Sequence, residues 1–174
     1  YYVETIWRRL IEAARRRGDL PEELYREFSW RILLGKDRTI NAFALPGGYF
    51  GLHLGMIAAI ESSSELAAVL AHELAHASQR HLYRLTARQE RLAPWMIGAF
   101  ILGTLAATRS PDAANAIVLG GQAAGLQTQL NFTRDMEREA DRIALGILQD
   151  AGFATGGMVS MFEKLQSANQ LNDS

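Results

Sequence analysis

The stretch Ala71-His72-Glu73-Leu74-Ala75-His76 reads H-E-x-x-H. On a helix, residues four apart share a face, so His72 and His76 can hold one metal ion between them. Glu73 lies about 100° from His72 around the helix and about 60° from His76. Its carboxylate therefore stands beside the metal rather than on it, within reach of a proton on an attacking water. That pairing of residue types points to zinc-assisted peptide hydrolysis. The flanks agree. Ser62 and Glu65 have the spacing of a capping box, and Leu66, Ala67, Ala68, Val69, Leu70, Leu74 and Ala75 make a helix apolar enough to be buried. Two histidines and a glutamate on a buried helix need partners, because burial of unpaired polar groups is costly. The structural alternative is a pair of satisfied core histidines.

Catalytic zinc takes three protein ligands and keeps one position open. The chain has four histidines, His53, His72, His76 and His81. His81 follows His72 by nine positions, about 180° around a continuing helix. It also fails the longer pattern H-E-x-x-H-x-x-G-x-x-H, since Gln79 stands at the glycine and Leu82 at the last histidine. His81 is expected on the outer face or in a hydrogen bond behind a ligand, and His53 in a structural role. Downstream, Phe132-Thr133-Arg134-Asp135-Met136-Glu137-Arg138-Glu139-Ala140-Asp141 opens a second helix. Glu137 and Asp141 share a face there. A glutamate ligand with an aspartate one turn on is chemically coherent, because the aspartate can accept a ligating histidine's free N–H and fix its tautomer. Taken alone, the run reads as a solvated charged face.

H-E-x-x-H followed about sixty residues later by E-x-x-x-D resembles the gluzincin peptidases of the HtpX and CAAX-prenyl-processing family. Ile40-Asn41-Ala42-Phe43-Ala44-Leu45-Pro46-Gly47-Gly48-Tyr49 is similar to that family's N-A-F…G-G segment, and Ala77-Ser78-Gln79-Arg80-His81-Leu82 to the H-x-x-Q-R-H continuation of its soluble periplasmic BepA-type branch. The similarity covers residues 25 to 165. It implies one zinc ion per chain held by His72, His76 and Glu137, with Glu73 as general base and Asp141 supporting a ligand from behind. It implies an α+β fold, a mostly helical zincin-like domain with a small antiparallel sheet beside the H-E-x-x-H helix. It also implies a periplasmic zinc metalloendopeptidase acting on unfolded or misassembled envelope polypeptides in outer-membrane protein quality control, near the assembly machinery for those proteins. The alternative is a latent zinc-binding assembly chaperone with little basal proteolysis. A second rival, an interaction module with structural histidines, would bind no stoichiometric zinc. BepA-type proteins add C-terminal helical repeats for partner binding, which these residues do not include.

Composition sets wider bounds. The 174 residues suffice for one domain with its own core, taken as residues 1–174. A hydrophobic fraction of 48% and a charged fraction of 21% suit a globular chain, and a net charge of -1 gives no argument for a nucleic-acid partner, so none is expected. With no cysteine there are neither disulfides nor thiolate ligands. Tyr1 at the start reads as a mature or trimmed chain lacking any signal peptide.

Thr5 to Arg17 reads as a helix ended by Gly18, its five arginines from Arg8 to Arg17 forming a solvated face, with anionic lipid as the lesser reading. Alternation from Phe28 to Leu34 predicts a strand, Gly35-Lys36-Asp37 a turn, and Thr39 to Ala44 and Tyr49 to His53 two more strands. Asn41, Ala42 and Phe43 are the candidate edge for an extended substrate, which would pair through backbone hydrogen bonds. A short helix is expected over Gly55 to Ile60, the metal-binding helix from Ser64 to Arg91, and a stop or kink at Pro94. Pro94 to Thr108 carries no charge but is too short to span a membrane. A second, weakly polar stretch, Ala113 to Leu130, is interrupted by Gly120, Gly121, Gln122, Gly125 and Gln127. Residues 94–130 are expected as an apolar helical hairpin over or beside the site, with Trp95, Met96 and Phe100 in core packing or in peripheral membrane contact. Asn131 to Gln149 should be the Glu137 helix, ended by Gly152, and Met158 to Ala168 the last helix, with Gln166 to Ser174 a polar linker. Arg134, Arg138 and Tyr49 are the candidates for stabilising the oxyanion.

Overall fold

The computed structural model describes residues 1–107 and 110–172. Two compact units emerge, Tyr1–Arg80 with Arg138–Ser174, and His81–Glu137.

The first unit begins with α1 (Tyr2–Arg17), which buries Ile6, Trp7, Leu10, Ile11, Ala13 and Ala14 and ends on Gly18 at φ 79. Leu10, Ala13 and Ala14 are fully excluded from solvent, while the arginines lie on the opposite, polar side. A short α2 (Glu22–Glu27), absent from the sequence reading, follows Pro21. Three strands come next: β1 (Arg31–Gly35), β2 (Ala42–Leu45) and β3 (Tyr49–His53). Their order is β1-β3-β2.

The expected antiparallel sheet is in fact mixed. β2 runs antiparallel to β3, but β1 runs parallel to it. The turn expected at Gly35-Lys36-Asp37 does not pair β1 with β2. Instead, residues 36–41 form a loop pinned by Asp37, whose carboxylate accepts from the N–H of Thr39 at 2.8 Å and from its hydroxyl at 2.9 Å. The Asp37 carbonyl accepts the N–H of Gly55 at 3.1 Å. The segment 36–48 then acts as the crossover that parallel pairing requires. Phe28 and Ser29 stay outside β1, and Trp30 takes φ 49. The Trp30 carbonyl accepts the Trp7 indole N–H at 2.8 Å, and the Trp7 ring lies 4.5 Å from Phe50, which ties sheet to helix.

After α3 (Leu54–Ala59), α4 (Ser63–Ser78) runs through the middle of this unit, in contact with α1, β2 and the last helix. Ser62 caps it by accepting the N–H of Glu65 at 3.1 Å. The Glu65 carboxylate reaches back to the N–H of Glu61, one residue earlier than a standard box would place it, at 2.8 Å. α4 stops thirteen residues before the expected Arg91. Arg80 adopts φ 53, and Gln79 donates to the Asp19 carbonyl at 3.2 Å. No glycine or proline announces this break; a tertiary contact holds it.

The last helix, α7 (Gly156–Asn172), is longer than expected and takes in most of the predicted linker. A Cβ at Gly157 would strike the backbone of Ser64 at 2.5 Å, so glycine there lets α7 meet the start of α4. A buried polar lock secures the same contact. Glu65, 5% exposed, accepts from the Ser160 hydroxyl at 2.9 Å and from the Lys164 ammonium at 3.0 Å. The Glu61 N–H, then Lys164 and Ser160, hold the Glu65 carboxyl below its ordinary pKa against the opposing effect of burial. A depressed folded pKa gives stability that is fully present above the unfolded value of about 4.3 and is lost as pH falls through the folded value. Glu65→Gln should therefore flatten the acid side of the thermal stability profile, measured as melting temperature from pH 7 down to pH 3.

The second unit is a helical hairpin of α5 (His81–Ala107) and the first part of α6 (Pro111–Asp150). A Cβ at Gly103 would strike Val118 and one at Gly121 would come 3.2 Å from Ala99, so small residues set the close, antiparallel seam. Arg88 lies 4.5 Å over the Phe132 ring further along. α5 continues through Pro94 rather than stopping there, and α6 runs through Gly120, Gly121 and Gly125. A lone proline or glycine weakens a helix locally, and packing along the partner helix overrides that. Thr108 and Arg109, and the side chains of Trp95 and Met96, lie outside the described residues. Phe100 is 65% exposed and does not pack into a core. No helix among the described residues is long and apolar enough to cross a membrane. α6 runs unbroken from this unit into the first, replacing the separate helix expected from Asn131, and ends at Asp150 before Gly152 at φ 76.

Candidate metal centre

Burial of α4 on three sides leaves His72, Glu73 and His76 on its remaining, half-buried face. The two imidazole rings meet at 67° with centroids 4.6 Å apart. Their Nε2 atoms face each other at 3.0 Å. Two nitrogens each about 2.0–2.1 Å from a tetrahedral zinc would stand roughly 3.3 Å apart, so a small ring adjustment admits the ion. On the far side of His72, Nδ1 lies 3.0 Å from an Asp141 carboxylate oxygen. The two atoms are close but not aligned as a hydrogen bond; a ring adjustment that aligned them would put the proton on Nδ1 and leave the Nε2 lone pair for a metal.

Glu137 lies one turn before Asp141 in the same unbroken α6. One ligand atom from each of His72, His76 and Glu137 lies within 4.8 Å of the others. This group of two imidazoles and one carboxylate matches the donor set of a catalytic zinc site with an open position. Asp141→Ala should weaken zinc binding by about 10–100-fold while leaving the fold intact, as measured by chelator competition.

A cavity of about 150 Å³ opens beside His72 and Glu73. Asn41 and Ala42 from the start of β2, Val69 from α4, and Met161, Phe162 and Leu165 from α7 complete much of its wall. Two of the three predicted edge residues are thus at the site. Phe43 is not, because alternation along β2 turns its ring to the other sheet face, over Gly51 and edge-on to His53 at 5.6 Å. His53 is not in the His72–His76–Glu137 group, and its Nδ1 lies 2.7 Å from the Thr39 hydroxyl. His81 is buried at 3% exposure, so the outer-face expectation fails. That expectation continued α4 past residue 78, where it has already ended. Tyr49 pairs with Leu45 at the end of β2 remote from Ala42, its hydroxyl accepts from the Ser29 hydroxyl at 3.2 Å, and it is not among the residues lining this cavity. The contribution of α7 went unread. Met158, Met161, Phe162 and Leu165 repeat at i, i+3, i+4 and i+7, which marks a buried stripe but not its neighbour.

A histidine pair on one helix, a carboxylate supplied by another and a glutamate at an adjoining cavity define a metallopeptidase. A model of peptidase family M48 matches residues 2–171. The chain belongs to peptidase family M48, which bears out the resemblance read from its motifs. It is 38% identical to the beta-barrel assembly-enhancing protease of Yersinia pestis over 165 residues, 94% of this chain and 32% of that protein. It is 40% identical to the protein of the same name from Escherichia coli K12 over 134 residues, 77% of this chain and 27% of that one. The mitochondrial metalloendopeptidase OMA1 of Saccharomyces cerevisiae is 30% identical over 166 residues, 94% of this chain and 45% of that protein. The chain therefore spans about a third of the length of the beta-barrel assembly-enhancing proteases it matches. Zinc is the cofactor of the family, and the donor set present fits it.

Proposed function

We propose that this chain is the peptidase portion of a periplasmic zinc metalloendopeptidase that cleaves unfolded or misassembled envelope polypeptides, outer-membrane β-barrel proteins among them. The observation that carries the reading is the pair of Nε2 atoms 3.0 Å apart, with a Glu137 oxygen grouped beside them and Glu73 at the adjoining cavity. The relatives named for β-barrel assembly support the substrate class.

His72, His76 and Glu137 would hold the zinc, and Asp141 would keep His72 in the correct tautomer. Bound there, zinc supplies Lewis acidity that makes water nucleophilic near neutral pH and polarises a carbonyl. Glu73 takes one proton from the attacking water as its oxygen bonds to the carbonyl carbon, and delivers it to the amine as the C–N bond breaks. β2 presents the substrate track. Asn41 accepts the N–H of His53 at 3.1 Å, so Asn41, Phe43 and Leu45 turn their peptide groups toward β3. Those of Ala42 and Ala44 then face the free edge. An extended chain pairing there gains affinity with little demand on sequence, which suits unfolded clients.

The test is digestion of reduced, alkylated casein and of an unfolded β-barrel protein, with fragments read by mass spectrometry. Cleavage should stop with 1,10-phenanthroline and return with zinc. Cleavage that persists in the chelator would refute the reading.

A further inference from the structure

The face of α6 that carries Glu137 is apolar along the hairpin. Leu119, Ala123, Leu126 and Leu130 recur at i, i+4, i+7 and i+11, and all four are exposed. The three leucines are 65%, 63% and 52% open to solvent. At 100° per residue, Leu119 falls at the same angle around the helix as Glu137, and Leu126 and Leu130 fall within about 20° of it. Val118 and Gly121 meet α5 away from the stripe, so the hairpin's own packing does not cover it. Glu137 is exposed as well. One helix face thus runs as a leucine stripe from Leu119 to Leu130 and then, about 10 Å further on, reaches a member of the proposed donor group. An exposed apolar stripe of this kind calls for a partner.

The stripe's margins are polar but uncharged. Gln122 and Gln129 border it on one side and Gln127 on the other. From Ala113 to Thr133, α6 has no charged residue. Those amides would be costly in hydrocarbon, and the segment offers no cation to anionic headgroups, so a bilayer is a poor match. An unfolded polypeptide fits both features. Its apolar side chains can cover the leucines, and an amide can donate to or accept from the backbone of any sequence. The spacing agrees too. Alternate residues of an extended chain stand about 6.6 Å apart, against about 4.5–6 Å between successive stripe positions. Along the helix, Leu130 lies about 10 Å and Leu119 about 27 Å from Glu137, distances that an extended chain covers in about 3 and 8 residues.

We infer that the stripe of Leu119, Leu126 and Leu130 is a docking surface for apolar segments of unfolded client polypeptides, which it holds in line with Glu137. The inference rests on the peptidase reading above, and the experiment separates the two. Two fluorescent peptides, one with Leu at alternate positions and the other with Ser in their place, are titrated into the zinc-loaded Glu73→Gln chain and followed by anisotropy. The leucine peptide should bind at least about tenfold more tightly. Leu119→Gln, Leu126→Gln and Leu130→Gln combined in that chain should bring the ratio to about one. Glutamine sustains a helix and the positions are exposed, so zinc content and far-UV circular dichroism should match the parent. Casein sites cut by the wild type should carry large apolar residues about 3–8 residues away on one side, and the same three substitutions should remove that bias. A parent ratio near one, or a ratio or bias that survives the substitutions, would overturn the docking surface. Flotation with phosphatidylcholine or phosphatidylglycerol vesicles that needs the leucines, without preference for the leucine peptide, would give the stripe to a bilayer and overturn the polypeptide assignment. A dimer that the substitutions dissolve, again without that preference, would give it to a second copy and do the same. A leucine peptide bound through the stripe with no casein cleaved by the wild type would instead sink the peptidase reading and leave the docking surface standing.

Discussion

Glu73→Gln should lower the rate of casein cleavage by about 10²–10⁴-fold, the usual contribution of a positioned general base. Zinc content should stay at the wild-type level, because the proposed donor group of His72, His76 and Glu137 does not include Glu73. The substitution keeps the size of the side chain and removes only its ability to take and return a proton. Fragment release over time, read beside metal analysis of the same preparations, checks both halves. A variant that cleaves at the wild-type rate would remove Glu73 from the chemistry.

The second large effect belongs to Glu137. Glu137→Ala should take zinc from about one per chain to well below that, since two histidines alone do not complete a catalytic site. Glu137 is exposed, so its truncation opens no core cavity and the loss should be specific to metal. Stability gives an independent readout. A ligand that binds only the folded state at a hundred times its Kd stabilises by about 2.7 kcal/mol. Added zinc should therefore raise the wild-type melting temperature and leave that of Glu137→Ala nearly unmoved. Equal shifts in the two proteins would place the metal elsewhere.

The grouping of the candidate site residues was legible in the sequence for physical reasons, while several details of the fold around them were not. His72 and His76 sit on one helix, and Glu137 and Asp141 on another. Helical spacing is fixed, so those four residues could be placed on two faces without knowing anything else. β3 was bounded correctly at Tyr49 to His53 because its neighbours Pro46-Gly47-Gly48 force a turn. The direction of β1 was not legible. It depends on Asp37 pinning a loop through Thr39 and Gly55, and sequence spacing does not show such a contact. The end of α4 was hidden for the same reason, since Arg80 and Gln79 carry no turn signature. In the hairpin, Pro94 was read as a stop or kink and the glycines as interruptions of an apolar stretch, yet both helices run on, and close packing places Gly103 and Gly121 in the seam. Phe43 shows the limit of reading an edge as a block, because alternate residues of one strand serve opposite faces.

The most direct test is anomalous X-ray scattering at the zinc edge from crystals of the zinc-loaded chain. One peak should stand about 2.0–2.2 Å from Nε2 of His72, Nε2 of His76 and a Glu137 carboxylate oxygen. An empty position there, or a zinc ion held by other residues, would contradict the site and the chemistry built on it.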